Sequence, residues 1–448
     1  MARGWVCLGL TCLLAGGVAG AAEPTQAAAS PNLVVILADD VGWGDFGFNG
    51  RSTWQTPRLD ELARRGVRFD RFYTGGVVCA PSRAVLLTGR YTIHNGVSRN
   101  DADLPAAETT LAETLHARGY ATALFGKWHH GRPRGGSTTY VHPMDQGFDE
   151  FYGFTDARHA WEKFPKELWD GRAVVPATGY ADDLFVERAQ RFLEQRQADQ
   201  RPFFLYLPLI SGHFHIEAPA DELERQRGRF AEVDEAVPRN AAYAAIIERF
   251  DRHVSQVVDT LARLGLAEST LLIVTSDHGA SFEAGNQGAS AFHDSNRPFR
   301  GQKRTLWEGG IRVPTVACWP GTLPAGLVVR TPQHMADVVP TFLGRVGVEP
   351  SADLDGRDQW SAWTGGADPE RTLFWEWRSE GFDQVAAMRG DWKLVITRGG
   401  RSELFHIPSD PQERIDRRAE RLDLVGQLEH EIQAWLATEV EASRDPLK

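Results

Sequence analysis

The chain has 448 residues, with 49 basic and 60 acidic side chains and a formal net charge of −11. Its 42% hydrophobic and 24% charged content is that of a globular protein, which excludes a disordered chain, a coiled coil and a collagen-like repeat. The acidic balance argues against general nucleic-acid affinity, since a basic face is needed to displace counterions from phosphates.

Residues 1–21 read as a secretory signal peptide: Arg3, an apolar run over 5–18, then the small-x-small site Ala19-Gly20-Ala21. A membrane anchor wants about 20 apolar residues, more than this run offers. The expected product is therefore secreted or periplasmic, with no stable membrane anchor. Cys7 and Cys12 would leave with the peptide, so Cys79 and Cys318 remain, enough for one disulfide but not for a disulfide scaffold.

Five apolar runs, 33–38, 121–125, 203–207, 271–275 and 313–318, are too short for helices and read as buried strands. Helical patterns lie between them. Thr110-x-x-Glu113 is a capping box opening a helix to about Arg118. Residues 181–196 are amphipathic, and 241–264 place Ile246, Phe250, Val254, Val257 and Leu261 at three- and four-residue spacing. The alternation predicts an α/β catalytic domain over 22–372, a large mostly parallel sheet sandwiched by helices. From residue 373 the style changes. Strands at 384–389 and 392–397 flank the hairpin signal Gly390-Asp391, and a helix over about 419–440 puts Leu428, Ile432 and Trp435 on one face. Residues 373–448 are thus expected to form a smaller antiparallel α+β subdomain.

Polar residues cluster at the strand ends. Residues 33–38 run into Asp39-Asp40, 271–275 into Ser276-Asp277-His278-Gly279, 121–125 into Gly126-Lys127-Trp128-His129-His130, and 203–207 precede Ser211-Gly212-His213. Carboxyl ends of strands form the ligand crevice of open α/β sheets, so these groups are expected in one site. Asp39, Asp40 and Asp277 supply hard oxygens for a divalent cation, and adjacent carboxylates repel unless a cation lies between them.

Cys79-Ala80-Pro81-Ser82-Arg83, continuing through Leu87-Thr88-Gly89-Arg90, resembles the signature of the sulfatases, in which the cysteine is oxidised after synthesis to formylglycine. Pro81 reads as the first residue of a helix, which would set residue 79 near a positive helix end. The resemblance extends to Gly42-Trp43-Gly44-Asp45, Gly126-Lys127-Trp128-His129, residues 202–213, and Gly301-Gln302-Lys303 through Gly309-Gly310. It also covers Trp392-Lys393-Leu394, Glu403-Leu404-Phe405 and Asp410-Pro411-x-Glu413. Gly212 and His215 stand where the family's Pro-His-x-Pro block has prolines, and His278 stands where many members have asparagine.

The resemblance implies one calcium ion held by Asp39, Asp40, Cys79 in its oxidised form, Asp277 and His278. It implies a hydrated formylglycine as nucleophile, made by a formylglycine-generating enzyme, with Asp277 taking its proton and Arg83 orienting residue 79. Lys127 and Lys303 would neutralise the sulfuryl group, His213 would protonate the leaving oxygen, and His129 would deprotonate the second hydroxyl. The expected activity is sulfate-ester hydrolysis, with a sulfated carbohydrate as substrate. Aryl or alkyl sulfates, or a phosphonate monoester, are the alternatives. Residues 155–180 and 215–239 read as long rim loops, the first offering Arg158, His159, Trp161, Lys163 and Trp169 to a sugar. His293 and Asn296 are expected to touch the first sugar ring.

Overall fold

The computed structural model describes residues 1, 2, 4, 30–131, 140–282, 284, 287–379 and 383–440. Most of the expected signal peptide, including its cleavage site, lies outside the described residues. Among the described residues no helix is long and apolar enough to cross a membrane. Cys79 and Cys318 are both buried and free.

A ten-stranded sheet forms the centre of the molecule. Its order from edge to edge is Leu327–Val329, Val67–Phe69, Thr315–Cys318, Thr270–Ser276, Asn32–Ala38, Phe203–Pro208, Ala121–Lys127, Glu150–Phe154, Glu167–Asp170 and Ala173–Pro176. The strands from Thr270–Ser276 across to Glu150–Phe154 are all parallel. Thr315–Cys318 and the Glu167–Pro176 hairpin run antiparallel at the flanks.

The period of two along Asn32–Ala38 explains why the sheet needs helices on both sides. Val34, Ile36 and Ala38 face a core shared with Phe185, Phe192, Ile246 and Phe250. Those residues belong to the helices Ala181–Asp199 and Arg239–Arg263. Leu33, Val35 and Leu37 face the opposite core, with Leu86 and Leu87 of the helix Cys79–Thr88 and Leu115 of Leu111–Ala117. Thr110 caps the latter helix, its hydroxyl accepting from the Glu113 N–H at 3.1 Å. At about 25 cal/mol per Å² of apolar surface removed from water, these two cores dominate the stability of the fold.

The second unit is an antiparallel sheet of Thr372–Trp377, Gln384–Arg389, Trp392–Thr397 and Arg401–His406. The helix Leu422–Leu436 packs Leu424, Leu428 and Ile432 against one face of it. On the other face Trp375, Met388, Val395 and Phe405 close over Leu306, Trp307 and Ile311. The small sheet is thereby fixed directly beneath the segment that carries Lys303.

Two expectations about the rim change. Residues 155–180 are not a plain loop, because residues 167–176 form the edge hairpin of the main sheet. Residues 215–239 contain the helix Ala220–Gln226.

Candidate active site

Four neighbouring parallel strands, Thr270–Ser276, Asn32–Ala38, Phe203–Pro208 and Ala121–Lys127, end on the same edge. Their ends bring Asp277 and His278, Asp39 and Asp40, His213, and Lys127 and His129 into one crest. The Cys79–Thr88 helix reaches the crest from one side, and its first residue is Cys79. Pro81 is therefore the third residue of that helix and not the first. It is still within the first turn, where a backbone N–H has no intrahelical acceptor to lose.

Cys79 Sγ lies 3.3 Å from Asp39 Oδ1, 3.3 Å from His278 Nε2 and 3.7 Å from Lys303 Nζ. Burial alone would raise this thiol, but Lys127, Lys303 and His278 together hold it well below its ordinary value. Lys127 Nζ bonds Asp39 Oδ2 at 2.6 Å, and Lys303 Nζ straddles both oxygens of Asp40 at 2.8 and 3.0 Å. Arg83, fully buried, bridges Asp39 and Asp277 at 3.3 and 3.1 Å and donates to the Lys127 carbonyl at 3.0 Å. Burial and the Cys79 charge would raise Asp39, yet the neighbouring Lys127 and Arg83 hold its carboxyl well below the usual range.

Each histidine is oriented by a carbonyl. A carbonyl only accepts, so the nitrogen facing it carries the proton. His278 Nδ1 donates to the Gly279 carbonyl at 3.0 Å, leaving Nε2 turned to Cys79. His213 Nδ1 donates to the Phe214 carbonyl at 2.7 Å, with Nε2 4.0 Å from Asp40. His129 Nε2 donates to the Asn100 carbonyl at 3.2 Å, leaving Nδ1 as its lone-pair nitrogen. Burial lowers the His129 imidazole to about 4, against the pull of the Cys79 thiol, so the ring is neutral.

The atoms of Asp39, Asp40, Cys79 and His278 all lie within 4.8 Å of one another, a set able to hold a metal ion. Asp277 stands beside this group. One of its oxygens receives the Asp40 N–H at 3.1 Å and the other pairs with Arg83. Burial and the charge of Asp39 raise its pKa well above the ordinary carboxylate value.

The structure does not bring His293 or Asn296 to a sugar-contacting position. His293 Nε2 donates to the Asn240 carbonyl at 2.9 Å, and its ring is enclosed by Trp54, Phe230 and Tyr243. Asn296 has both ends of its amide engaged by backbone: Oδ1 accepts from Ala280 N–H at 2.8 Å and Nδ2 donates to the Ala280 carbonyl at 3.0 Å. Its task is to fold the loop after His278. Lys163 likewise is 1% exposed and cannot reach a sugar outside the crest. His159 packs on Phe154 and Trp169 on His142. Trp161 remains at the rim, its ring 4.7 Å from that of Phe214.

A crest that gathers two lysines and an arginine around the buried Cys79 is suited to an anionic ester, and it lies at the carboxyl ends of parallel strands, where open α/β sheets bind their ligands. The sulfatase family profile matches residues 31–348, and the chain belongs to this family as a sulfuric ester hydrolase. It is 32% identical over 438 residues to the N-acetylgalactosamine-6-sulfatase of Canis lupus familiaris, covering 89% of this chain and 75% of that protein. It is 34% identical over 379 residues to arylsulfatase G of Mus musculus, covering 74% of this chain and 68% of the relative. Among solved structures, Ps i-CgsB in complex with k-i-k-neocarrahexaose superposes with a TM-score of 0.83 at 26% identity, over 92% of this chain and 94% of the other.

Proposed function

We propose that the protein is an exported sulfatase acting on a sulfated carbohydrate, with a formylglycine made from Cys79 as nucleophile and one calcium ion as cofactor. The observation that carries this reading is the position of Cys79, at the head of a helix and within 3.7 Å of Lys303, His278 and Asp39 together. The donor set fits a divalent cation. The ligand atoms of Asp39, Asp40, Cys79 and His278 converge within 4.8 Å of one another, and a cation among them offsets the repulsion of the two adjacent carboxylates. Asp39, Asp40, Asp277, His278 and residue 79 in its oxidised form would hold the ion, with oxygens predominating as calcium prefers. When bound, it supplies Lewis acidity toward a sulfate oxygen and toward the nucleophile, which as formylglycine is a hydrated aldehyde.

The rest follows from the side chains of the crest. Lys127 and Lys303, already aimed at the point between Asp39, Asp40 and Cys79, bind and neutralise the sulfuryl oxygens. Arg83 holds the two carboxylates that flank residue 79 in place. His213 keeps its Nδ1 proton on Phe214, so Nε2 is the atom that delivers a proton to the leaving oxygen. His129, neutral and with Nδ1 free of a proton, takes one from residue 79 when sulfate departs. Such acid–base steps are each worth about 10²- to 10⁴-fold in rate.

Support for a carbohydrate comes from the rim beside the acid. Phe214 stacks on His213 with ring centres 5.2 Å apart and has the Trp161 ring 4.7 Å away, an aromatic group beside the proposed acid. Ps i-CgsB was crystallised with a carrageenan-type hexaose, and the dog relative is named for a sulfated amino sugar. Export accords with such a substrate, since sulfated polysaccharides are met outside the cell. Steady-state kinetics on a panel of sugar sulfates, 4-nitrophenyl sulfate and a phenyl phosphonate monoester tests the proposal. The expected result is a large gain in kcat/KM for one sugar sulfate. Equal efficiency on 4-nitrophenyl sulfate and every sugar, or higher efficiency on the phosphonate, would overturn it. Trp161→Ala should lower efficiency about tenfold on the preferred sugar and much less on the aryl ester, a loss typical of one stacking contact.

A further inference from the structure

Lys163 has no part in the chemistry above, yet it is buried close beneath the crest. Its ammonium donates to the Ile210 carbonyl, the same oxygen that accepts the His213 N–H at 3.3 Å to close the turn over residues 210–213. Burial lowers the Lys163 ammonium to about 8, opposed by Asp182 and Asp39, so the group is held there against a substantial desolvation penalty. Asp182, the second residue of the helix Ala181–Asp199, grips the same turn from the other side. Its Oδ1 accepts the Ile210 N–H at 2.9 Å and its Oδ2 the Ser211 hydroxyl at 2.5 Å. The two grips are themselves joined, because the Ala181 N–H donates to the Lys163 carbonyl at 2.8 Å.

The turn needs outside support. It contains Gly212 at φ 94° and no proline between residues 209 and 215, so its own backbone is free to choose other conformations. It also has no slack: a Cβ on Gly212 would lie 2.5 Å from the Asp39 carbonyl oxygen and 2.6 Å from Val41. The Asp39 N–H donates to the Ser211 carbonyl at 3.2 Å. A small rotation of this turn would therefore carry His213 Nε2 away from the leaving oxygen, and geometry of that kind is what proton transfer depends on.

We infer that Lys163 and Asp182 are positioning residues for His213, clamping its turn by the Ile210 carbonyl, the Ile210 N–H and the Ser211 hydroxyl. The inference rests on His213 being the acid that protonates the leaving group. A leaving group that departs easily as an anion needs that proton little, and a poor one needs it much. Phenyl sulfate and 4-nitrophenyl sulfate differ in this respect and little else, so the full-length enzyme can be assayed on both. Lys163→Met and Asp182→Asn should each lower kcat/KM on phenyl sulfate about tenfold or more, and distinctly less on 4-nitrophenyl sulfate. His213→Ala should show the same pattern with larger amplitude, and Lys163→Met should add little further loss in the His213→Ala background. Circular dichroism and thermal melts establish that each variant is folded, and Asp182→Asn serves if Lys163→Met is not. Equal losses on the two esters, no loss, or full additivity with His213→Ala would overturn the inference. If His213→Ala itself loses equally on both, the assignment of His213 as the acid falls. If His213→Ala discriminates while the other two variants do not, only the clamp falls.

Discussion

The buried charges at the crest and those where the small sheet meets the main domain are built differently. At the crest, Asp39, Asp40, Cys79 and His278 point their ligand atoms at a common spot, with Lys127 and Lys303 reaching in beside them. Beneath it, where the small sheet meets the main domain, the charges point at each other. Lys393, fully buried, sits 3.0 Å from Glu308 and 2.8 Å from Glu413. Glu308 also accepts from the Tyr73 hydroxyl at 2.9 Å and pairs with Arg312 at 3.3 Å, while Glu413 accepts the Glu308 N–H at 2.7 Å. Both clusters carry a desolvation penalty, so the penalty alone does not mark a reactive site. The distinguishing feature is convergence on a third point, and only the crest has it. The lower cluster joins the small sheet to the Glu308–Ile311 turn that follows Lys303.

This contrast fails if the two clusters respond alike to substitution. The largest expected effect is at the crest. Cys79→Ala should remove turnover beyond detection while leaving the thermal melt within a few degrees, and peptide mass spectrometry of active enzyme should find an aldehyde at residue 79. Full activity with an unmodified thiol would contradict the assignment. The lower cluster should do the opposite. Lys393→Met leaves Glu308 and Glu413 buried without their cation, which destabilises by about 3–5 kcal/mol for a broken buried pair. Urea unfolding should register that loss, with residual kcat on 4-nitrophenyl sulfate retained in the folded fraction.

A smaller effect concerns acid. Burial lowers the His293 imidazole to about 4 from its ordinary 6.5, so the folded state resists a proton that the unfolded chain accepts. Between those values the unfolded chain binds more protons, so stability falls as pH drops from 6.5 to 4, by on the order of 3 kcal/mol from this one ring. Glu376 and Glu413, raised to about 7 chiefly by burial, act in the opposite sense between 4.5 and 7. His293→Leu should flatten the acid side of the stability profile, and an unchanged slope would exclude the ring as its source.

The parallel strands and their polar ends were legible because uninterrupted apolar runs such as 33–38 can be buried on both faces only in a covered sheet. The Glu167–Pro176 hairpin was not, although Asp170-Gly171 is a hairpin signal, because its flanking strands are only four residues long and largely exposed, without a clear apolar alternation. At the crest, residue types and strand-end placement named Asp39, Asp40 and Lys127, and the family resemblance added Lys303. They did not separate His293 and Asn296 from a substrate role, because a histidine and an asparagine in a loop read the same whether they face solvent or backbone. Lys163 was misplaced for a related reason. A lysine among aromatic residues reads as exposed, and only the three-dimensional packing of Ile210 against residues 155–180 shows that its ammonium is enclosed. The Lys393 and Glu413 motifs were visible in sequence, but their partner Glu308 lies 85 residues from Lys393 and no local pattern joins them.

The 1% exposure of Cys79 also sets an order of events in the life of the chain. Its thiol is enclosed by Asp39, His278 and Lys303, so a second protein cannot grasp it once the sheet and the small subdomain have closed. If residue 79 is converted to formylglycine as proposed, the converting enzyme would have to act while the segment is still extended, and a chain that folds first would keep its thiol. Under that reading rapid folding and complete activation compete, and the fraction of active protein depends on which comes first.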